Sequence, residues 1–232
     1  MERLLAPRRY LVIVCGLALL TSFVYRTILA PHVLAVTVIP VGKGTAVLVR
    51  TPRGTTFLID TGPDAGIVRA LGTALPEWDR RIDAVALTSM TAETAGGAPE
   101  VLGRYVVGYL IRPAARGSRS VEAALAGAAG TAPDLRQVVA TRGTRITLGD
   151  GVVADVLWPD RALPSTAPAD GALALRISYG ATSFLVEDDL SPRAAAWLAT
   201  LDADLLQTDV AIASTTPVGT YVSDGVSVVA QD

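Results

Sequence analysis

Between Asp83 and Gly97 the chain reads Asp-Ala-Val-Ala-Leu-Thr-Ser-Met-Thr-Ala-Glu-Thr-Ala-Gly-Gly. Asp83 to Thr88 alternates as a buried strand does, and a loop of small polar residues follows, closed by Gly96-Gly97, where the backbone can turn tightly. Such a loop is a common platform for chemistry. Ser89 and Thr91 are the nucleophile candidates, but no histidine lies nearby to take their protons. A catalytic zinc needs three protein ligands, usually dominated by imidazole, and an open position for water. The one histidine is His32, far from the loop in sequence, and the one cysteine is Cys15. Zinc is therefore not expected. Asp60, Glu93 and Asp189 are the remaining oxygen candidates, and carboxylates alone suit Mg²⁺ or Mn²⁺. Their plainer roles are a turn cap, a solvated side chain and the start of a turn.

The chain that must position these residues has 232 of them, half hydrophobic, with a mean hydropathy of +0.43. That suits a membrane segment followed by one domain of roughly 200 residues. A single cysteine excludes an intramolecular disulfide framework. Tyr10 to Tyr25 carries no charge, and extended to Ala30 it reaches about 20 residues, enough to span a bilayer as a helix. Arg3, Arg8 and Arg9 precede it, which places the N-terminus in the cytoplasm. The expected layout is a cytoplasmic tail at 1–9, a transmembrane helix at 10–30, a linker at 31–35 and an outward-facing domain at 36–232. A cleavable signal peptide is the alternative, although Arg26 to Pro31 makes a poor cleavage site.

Beyond the span, strands are expected at Leu34 to Ile39, Thr45 to Val49 and Thr55 to Asp60, the last two paired across Pro52-Arg53-Gly54. A helix capped by Asp64 leads to the strand at Asp83 to Thr88, and another helix to the strand at Val106 to Arg112. A helix capped by Ser118 or Ser120 precedes strands at Gln137 to Thr141, Thr144 to Leu148 and Val152 to Trp158. Pro159 to Gly171 reads as a loop. A hairpin turns at Gly180, and Ser191-Pro192 starts a helix through Leu201. Short strands at Leu205 to Thr208, Val210 to Ala213 and Val226 to Ala230 complete the expectation. Interspersed strands, helices and hairpins imply mixed sheets of an α/β (α+β) protein.

Several of these stretches resemble the metallo-β-lactamase-fold domain at the C-terminal end of ComEC-type competence (DNA-uptake) proteins. They are Val41-Gly42-Lys43-Gly44-Thr45, Ile59-Asp60-Thr61-Gly62, Leu157-Trp158-Pro159 and Ala203-Asp204-Leu205-Leu206. The family's metal motif, His-x-Asp-Ala-Asp-His-x-Gly-Gly, falls on Ser89 to Gly97, so Ser89, Thr91, Glu93 and Thr94 occupy its ligand positions and both histidines are gone. Asp189 matches the bridging aspartate, and Val210 stands where a further histidine cluster begins. The resemblance implies an αββα sandwich preceded by one transmembrane helix, and a site whose metal motifs have degenerated.

Phe57 to Gly62 also looks like the Asp-Thr-Gly loop of aspartic proteases, which need a second aspartate to share a proton. Ser223-Asp224-Gly225 has the wrong order to supply it. DNA is the cargo that the resemblance implies, yet residues 36–232 carry 16 basic against 21 acidic residues, a net −5. That argues against a general phosphate-binding surface. Residues 104–145 reverse the balance locally, and Arg112, Arg116 and Arg119 are the candidate contacts, against the plainer reading of scattered solvated arginines. The expectation is a membrane-anchored, inactive module with no cofactor, serving as a scaffold or DNA guide beside a channel-forming partner. The alternative is an active hydrolase, either a carboxylate-metal nuclease or phosphodiesterase, or the aspartic protease.

Overall fold

The computed structural model describes residues 5–24, 33–76, 78–161, 168–212 and 219–222. They fall into two units, 1–32 and 33–232, each taken by itself.

The first unit is helix α1, Leu5–Val24. It begins earlier than the expected span because Pro7 fits a first helical turn, so Arg8 and Arg9 fall inside the helix rather than before it. Among the described residues, no helix is long and apolar enough to cross a membrane. The expected continuation at 25–30 lies outside the described residues.

In the second unit, strands β1 (Ala35–Val41), β2 (Gly44–Arg50) and β3 (Thr56–Ile59) run antiparallel. Then β4 (Arg81–Ala86), β5 (Val106–Arg112) and β6 (Arg136–Val139) continue parallel to β3. Parallel neighbours need crossovers. They are α2 (Gly66–Ala74), the pair α3 (Ala92–Ala95) and α4 (Ala98–Arg104), and α5 (Arg119–Gly130). The second sheet contains β7 (Arg145–Gly149), β8 (Val152–Trp158), β9 (Ala174–Tyr179), β10 (Thr182–Val186) and β11 (Val210–Ile212), with α6 (Pro192–Leu201) between its last two strands. β12 (Gly219–Val222) returns to pair antiparallel with β1, giving sheets of seven and five strands among the described residues.

Side-chain alternation builds the layers. Val36, Val47, Val49, Phe57 and Ile59 of the larger sheet meet Ala154, Val156, Ile177 and Phe184 of the smaller one. The opposite face of the larger sheet, with Leu48, Leu58, Val85 and Leu110, packs on Ile67 and Leu71 of α2, Val101 of α4 and Leu125 of α5. Leu157, Trp158 and Leu185 pack on Ala194 and Leu198 of α6. The order is helix, sheet, sheet, helix, as expected. Each fully buried Val, Leu, Ile or Phe side chain among these contributes about 1.5–3 kcal/mol.

Local signals hold at most positions. Ser118 accepts from the Val121 amide at 3.3 Å and Ser191 from the Ala194 amide at 3.1 Å, capping α5 and α6. Asp64 makes a tighter turn instead, accepting from the Gly66 amide at 2.7 Å just before α2. Two expectations fail. Leu205 to Thr208 does not form a strand, because the Asp202 carbonyl accepts from both the Leu205 and Leu206 amides and curls the chain after α6. β12 was not expected. The strand expected at Val226 to Ala230 lies outside the described residues.

Candidate functional site

The parallel pairing brings three of the singled-out positions to one edge. Ile59, Ala86 and Ile111 are in register across β3, β4 and β5, so Asp60, Thr88-Ser89 and Arg112 follow at the carboxyl ends of adjacent strands. This is where open α/β sheets commonly place ligands. The Asp60 amide donates to the Ala86 carbonyl and the Leu87 amide to the Ile111 carbonyl, both at 2.8 Å, extending the ladder into the loops.

Asp60 is 2% exposed and has a φ of +59°, a conformation that favours glycine, asparagine and aspartate. Both of its carboxylate oxygens accept at 2.7 Å, Oδ1 from the Thr88 amide and Oδ2 from the Thr88 hydroxyl. Burial nevertheless pushes its pKa well above the usual carboxylate range. The Thr88 bonds oppose the shift, and the negative charges of Asp188 and Asp189 add to it. Glu187 is also raised by burial. A buried carboxyl with both oxygens engaged is not presented to substrate as a protease aspartate would be. Ser223 to Gly225 lies outside the described residues.

The loop after β4 places its hydroxyls together. Ser89 is fully buried, and Ser89 Oγ donates to Asp189 Oδ2 through a short hydrogen bond. Thr91 Oγ1 donates to the same oxygen at 3.3 Å. Thr94 Oγ1 lies 2.7 Å from Ser89 Oγ and 2.8 Å from Thr91 Oγ1, and it reaches the Ser89 carbonyl at 3.1 Å. Three hydroxyls thus form a closed knot with one carboxylate that arrives from the other sheet, 100 residues away. Thr91 also caps α3 through the Thr94 amide. Gly97 has to be glycine: a Cβ there would meet the Asp64 and Thr61 carbonyls at 2.6 and 2.7 Å.

Of the sequence candidates, Asp60, Ser89, Thr91, Thr94 and Asp189 converge on this region. Glu93 does not join the knot; it is exposed in the first turn of α3. Val210 opens β11 and packs against the core between the sheets. Sequence reasoning missed Thr88, whose amide and hydroxyl hold Asp60, and missed Asp188 as a negative charge acting on it. The signal for Thr88 was its place beside Ser89 at a strand end.

The three candidate DNA contacts lie along the same edge. Arg112 is half-buried at the end of β5, while Arg116 and Arg119 are exposed in the following loop and at the start of α5. That loop abuts the hydroxyl knot's own loop, with the Ser118 amide donating to the Met90 carbonyl at 3.3 Å. Other arginines of the basic stretch are engaged: Arg136 lies over Tyr109, Arg142 binds Asp202 and Arg145 binds Asp155.

No protein-family model matches the sequence, and no curated protein does. Among solved structures, the chain is similar to a HARLDQ-motif mutant of a metallo-β-lactamase from Cronobacter sakazakii. Identity is 20% and the TM-score 0.52, over 77% of this chain and 76% of that one. It is similar to the Rm3 metallo-β-lactamase at 18% identity and a TM-score of 0.51, over 79% and 78% of the two chains. The SMB-1 metallo-β-lactamase bound to 2-mercaptoethanesulfonate gives 15% and 0.51, over 79% and 80%. The domain has the metallo-β-lactamase fold.

The residues of this metallo-β-lactamase-fold centre can be tested against a metal by their donor chemistry. Zinc takes imidazole, thiolate and carboxylate. Here Ser89, Thr91 and Thr94 present neutral hydroxyls, already bonded to one another and to Asp189. Among the described residues, no group of three or more His, Cys, Asp and Glu side chains is placed to hold a metal ion. This donor set does not fit zinc. What the arrangement can do is satisfy the half-buried Asp189 carboxylate and tie the two sheets together.

Proposed function

We propose that the chain is a membrane-anchored, catalytically silent module of the metallo-β-lactamase fold, related to the outward-facing domain of a DNA-uptake channel, and that it acts as a scaffold or a guide for DNA. The observation that carries this reading is the knot in which Ser89, Thr91 and Thr94 engage Asp189. A catalytic metal centre keeps an open position for water. Here hydroxyls close it, and Ser89, at 0% exposure and with no imidazole base among the described residues, is not placed to attack a substrate. The apolar run from Tyr10 supports the membrane anchor, with the domain on the outer side of a single-pass helix and a channel-forming partner beside it.

Metal analysis of the purified full chain, dialysed in turn against Zn²⁺, Mn²⁺ and Mg²⁺, tests the silent-site reading. The expected result is a folded protein without stoichiometric metal. Stoichiometric Mn²⁺ or Mg²⁺ that disappears in Asp189→Asn would sink the reading and favour a carboxylate-metal nuclease or phosphodiesterase.

DNA guidance rests on Arg112, Arg116 and Arg119, which have no ion-pair partner among the described residues. Replacing all three by alanine is expected to weaken DNA binding and to flatten its salt dependence by about three counterions' worth of slope. An unchanged salt-dependent affinity would remove DNA from that face and leave only the scaffold role.

A further inference from the structure

A cleft of about 450 Å³ opens on the α6 side of the smaller sheet, lined by side chains that the centre above does not use. One wall is α6, where Arg193, Trp197 and Leu201 recur at four-residue spacing and so share a face. The facing wall is the end of β8 and the residues after it, Trp158, Asp160 and Arg161.

Trp158 lines this cleft because of a bulge. Val152, Ala154 and Val156 point into the core between the sheets, and simple alternation would send residue 158 the same way. The register of β8 against β9 slips between Val156 and Trp158, and Trp158 joins Leu157, Ala194 and Leu198 on the outer side. Bulges re-aim side chains in this manner. The indole is then fixed: Trp158 is 8% exposed and its Nε1 donates to the Asp170 carbonyl at 2.8 Å. Trp197 is the opposite case, a helix-borne indole left 53% exposed. One ring is anchored and the other is presented.

The charges divide in the same way. The Asp160 carboxylate is paired with Arg142 at 3.5 Å, and the Asp170 carboxylate accepts from the Ser191 hydroxyl at 2.5 Å. Arg161 and Arg193 have no hydrogen-bond or ion-pair partner among the described residues. The cleft therefore combines engaged acids, two guanidinium groups unengaged among the described residues, and two indole rings. A bare anion would leave the exposed Trp197 face without a role, and a purely apolar ligand would strand the guanidinium groups.

We infer that this cleft binds a nucleotide unit, with its base stacked on Trp197 and its phosphate held by Arg193 and Arg161. Aromatic faces stack any base, and guanidinium groups match phosphate oxygens in pairs. The volume is within the range of pockets that enclose small ligands, about 300–1,000 Å³. The unit can be a free nucleotide or part of a single strand, since both carry the same ring and phosphate. The inference uses none of Asp189, Arg112, Arg116 or Arg119, and it stands apart from the function proposed above.

The test is calorimetric titration of the full chain, in detergent micelles, with deoxyadenosine monophosphate and separately with an oligothymidylate of about 12 nucleotides. Saturable binding of either ligand is expected, weakened about tenfold or more by Trp197→Ala and by Arg193→Ala, and largely retained by Trp197→Phe. Both replaced side chains are exposed, and circular dichroism checks that the variants fold. Binding of the mononucleotide alone identifies a free nucleotide as the source, and much tighter binding of the oligonucleotide identifies a single strand. Absence of saturable binding by both ligands overturns the inference, as does binding that neither alanine variant changes. Oligonucleotide binding lost only in the Arg112, Arg116 and Arg119 triple variant also overturns it, while supporting DNA guidance at the other face.

Discussion

Replacing Asp60 by asparagine is expected to leave the domain at least as stable at neutral pH and to flatten its dependence of stability on pH, whereas leucine there should cost about 3 kcal/mol or more. The difference follows from what Asp60 does. Its two oxygens satisfy the buried Thr88 amide and hydroxyl, and its φ of +59° excludes most side chains without strain. Asparagine keeps an acceptor for the amide, tolerates the backbone and brings no charge. Leucine leaves both Thr88 groups without their partner and strains the backbone. The pH effect has a definite sign. Burial raises the folded-state pKa of Asp60 above the ordinary 3.8. Between those two values the folded state keeps a proton that the unfolded chain has released. Stability therefore falls as pH rises from 3.8 through the raised pKa, and it levels off above it. Glu187, also raised by burial, adds a slope of the same sign that survives in the variant. Urea unfolding across about pH 4 to 8 measures this. A wild-type slope in Asp60→Asn would mean that Asp60 does not titrate in that window.

The hydroxyl knot should behave as one unit. Ser89→Ala removes the buried donor to Asp189 and a partner of Thr94, and is expected to destabilise the domain by about 2 kcal/mol. Asp189→Ala leaves the Ser89 hydroxyl without its acceptor, at a similar cost. The double variant should cost less than the sum of the two by about 1–2 kcal/mol, because the second substitution removes an interaction already lost. Strict additivity in urea unfolding would show that Ser89 and Asp189 contribute separately, and the description of the centre as a closed knot would fail. A coupled pair would support the silent-site reading, since the same side chains would then be holding the sheets together.

Much of the architecture was legible in short stretches of chain. The strand pair Thr45 to Val49 and Thr55 to Asp60 across Pro52-Arg53-Gly54, the hairpin at Gly180 and the Ser191-Pro192 helix start are local signals, and each one survives packing. The resemblance on Ser89 to Gly97 and Asp189 also pointed to the loop where the knot forms. What failed was of another kind. Leu205 to Thr208 has the composition of a strand, but the Asp202 carbonyl captures its amides at the end of α6. β12 exists because β1 has a free edge, which no residue within β12 announces. Val210 and Glu93 matched motif positions by alignment alone, and packing sends one to the core and the other to solvent.

By itself the sequence determined most of the strands and helices and the lack of imidazole at the motif, because turn residues, caps and apolar runs act over a few neighbouring positions, while the αββα layering was implied by the family resemblance. Only the tertiary structure decided that Ser89, Thr91 and Thr94 close on Asp189, that Asp60 is buried against Thr88, and that Trp158 faces α6 instead of the core. Those facts depend on register between distant strands and on which charges are removed from water. A slip of one residue in β8 reverses the direction of a side chain without altering any local pattern.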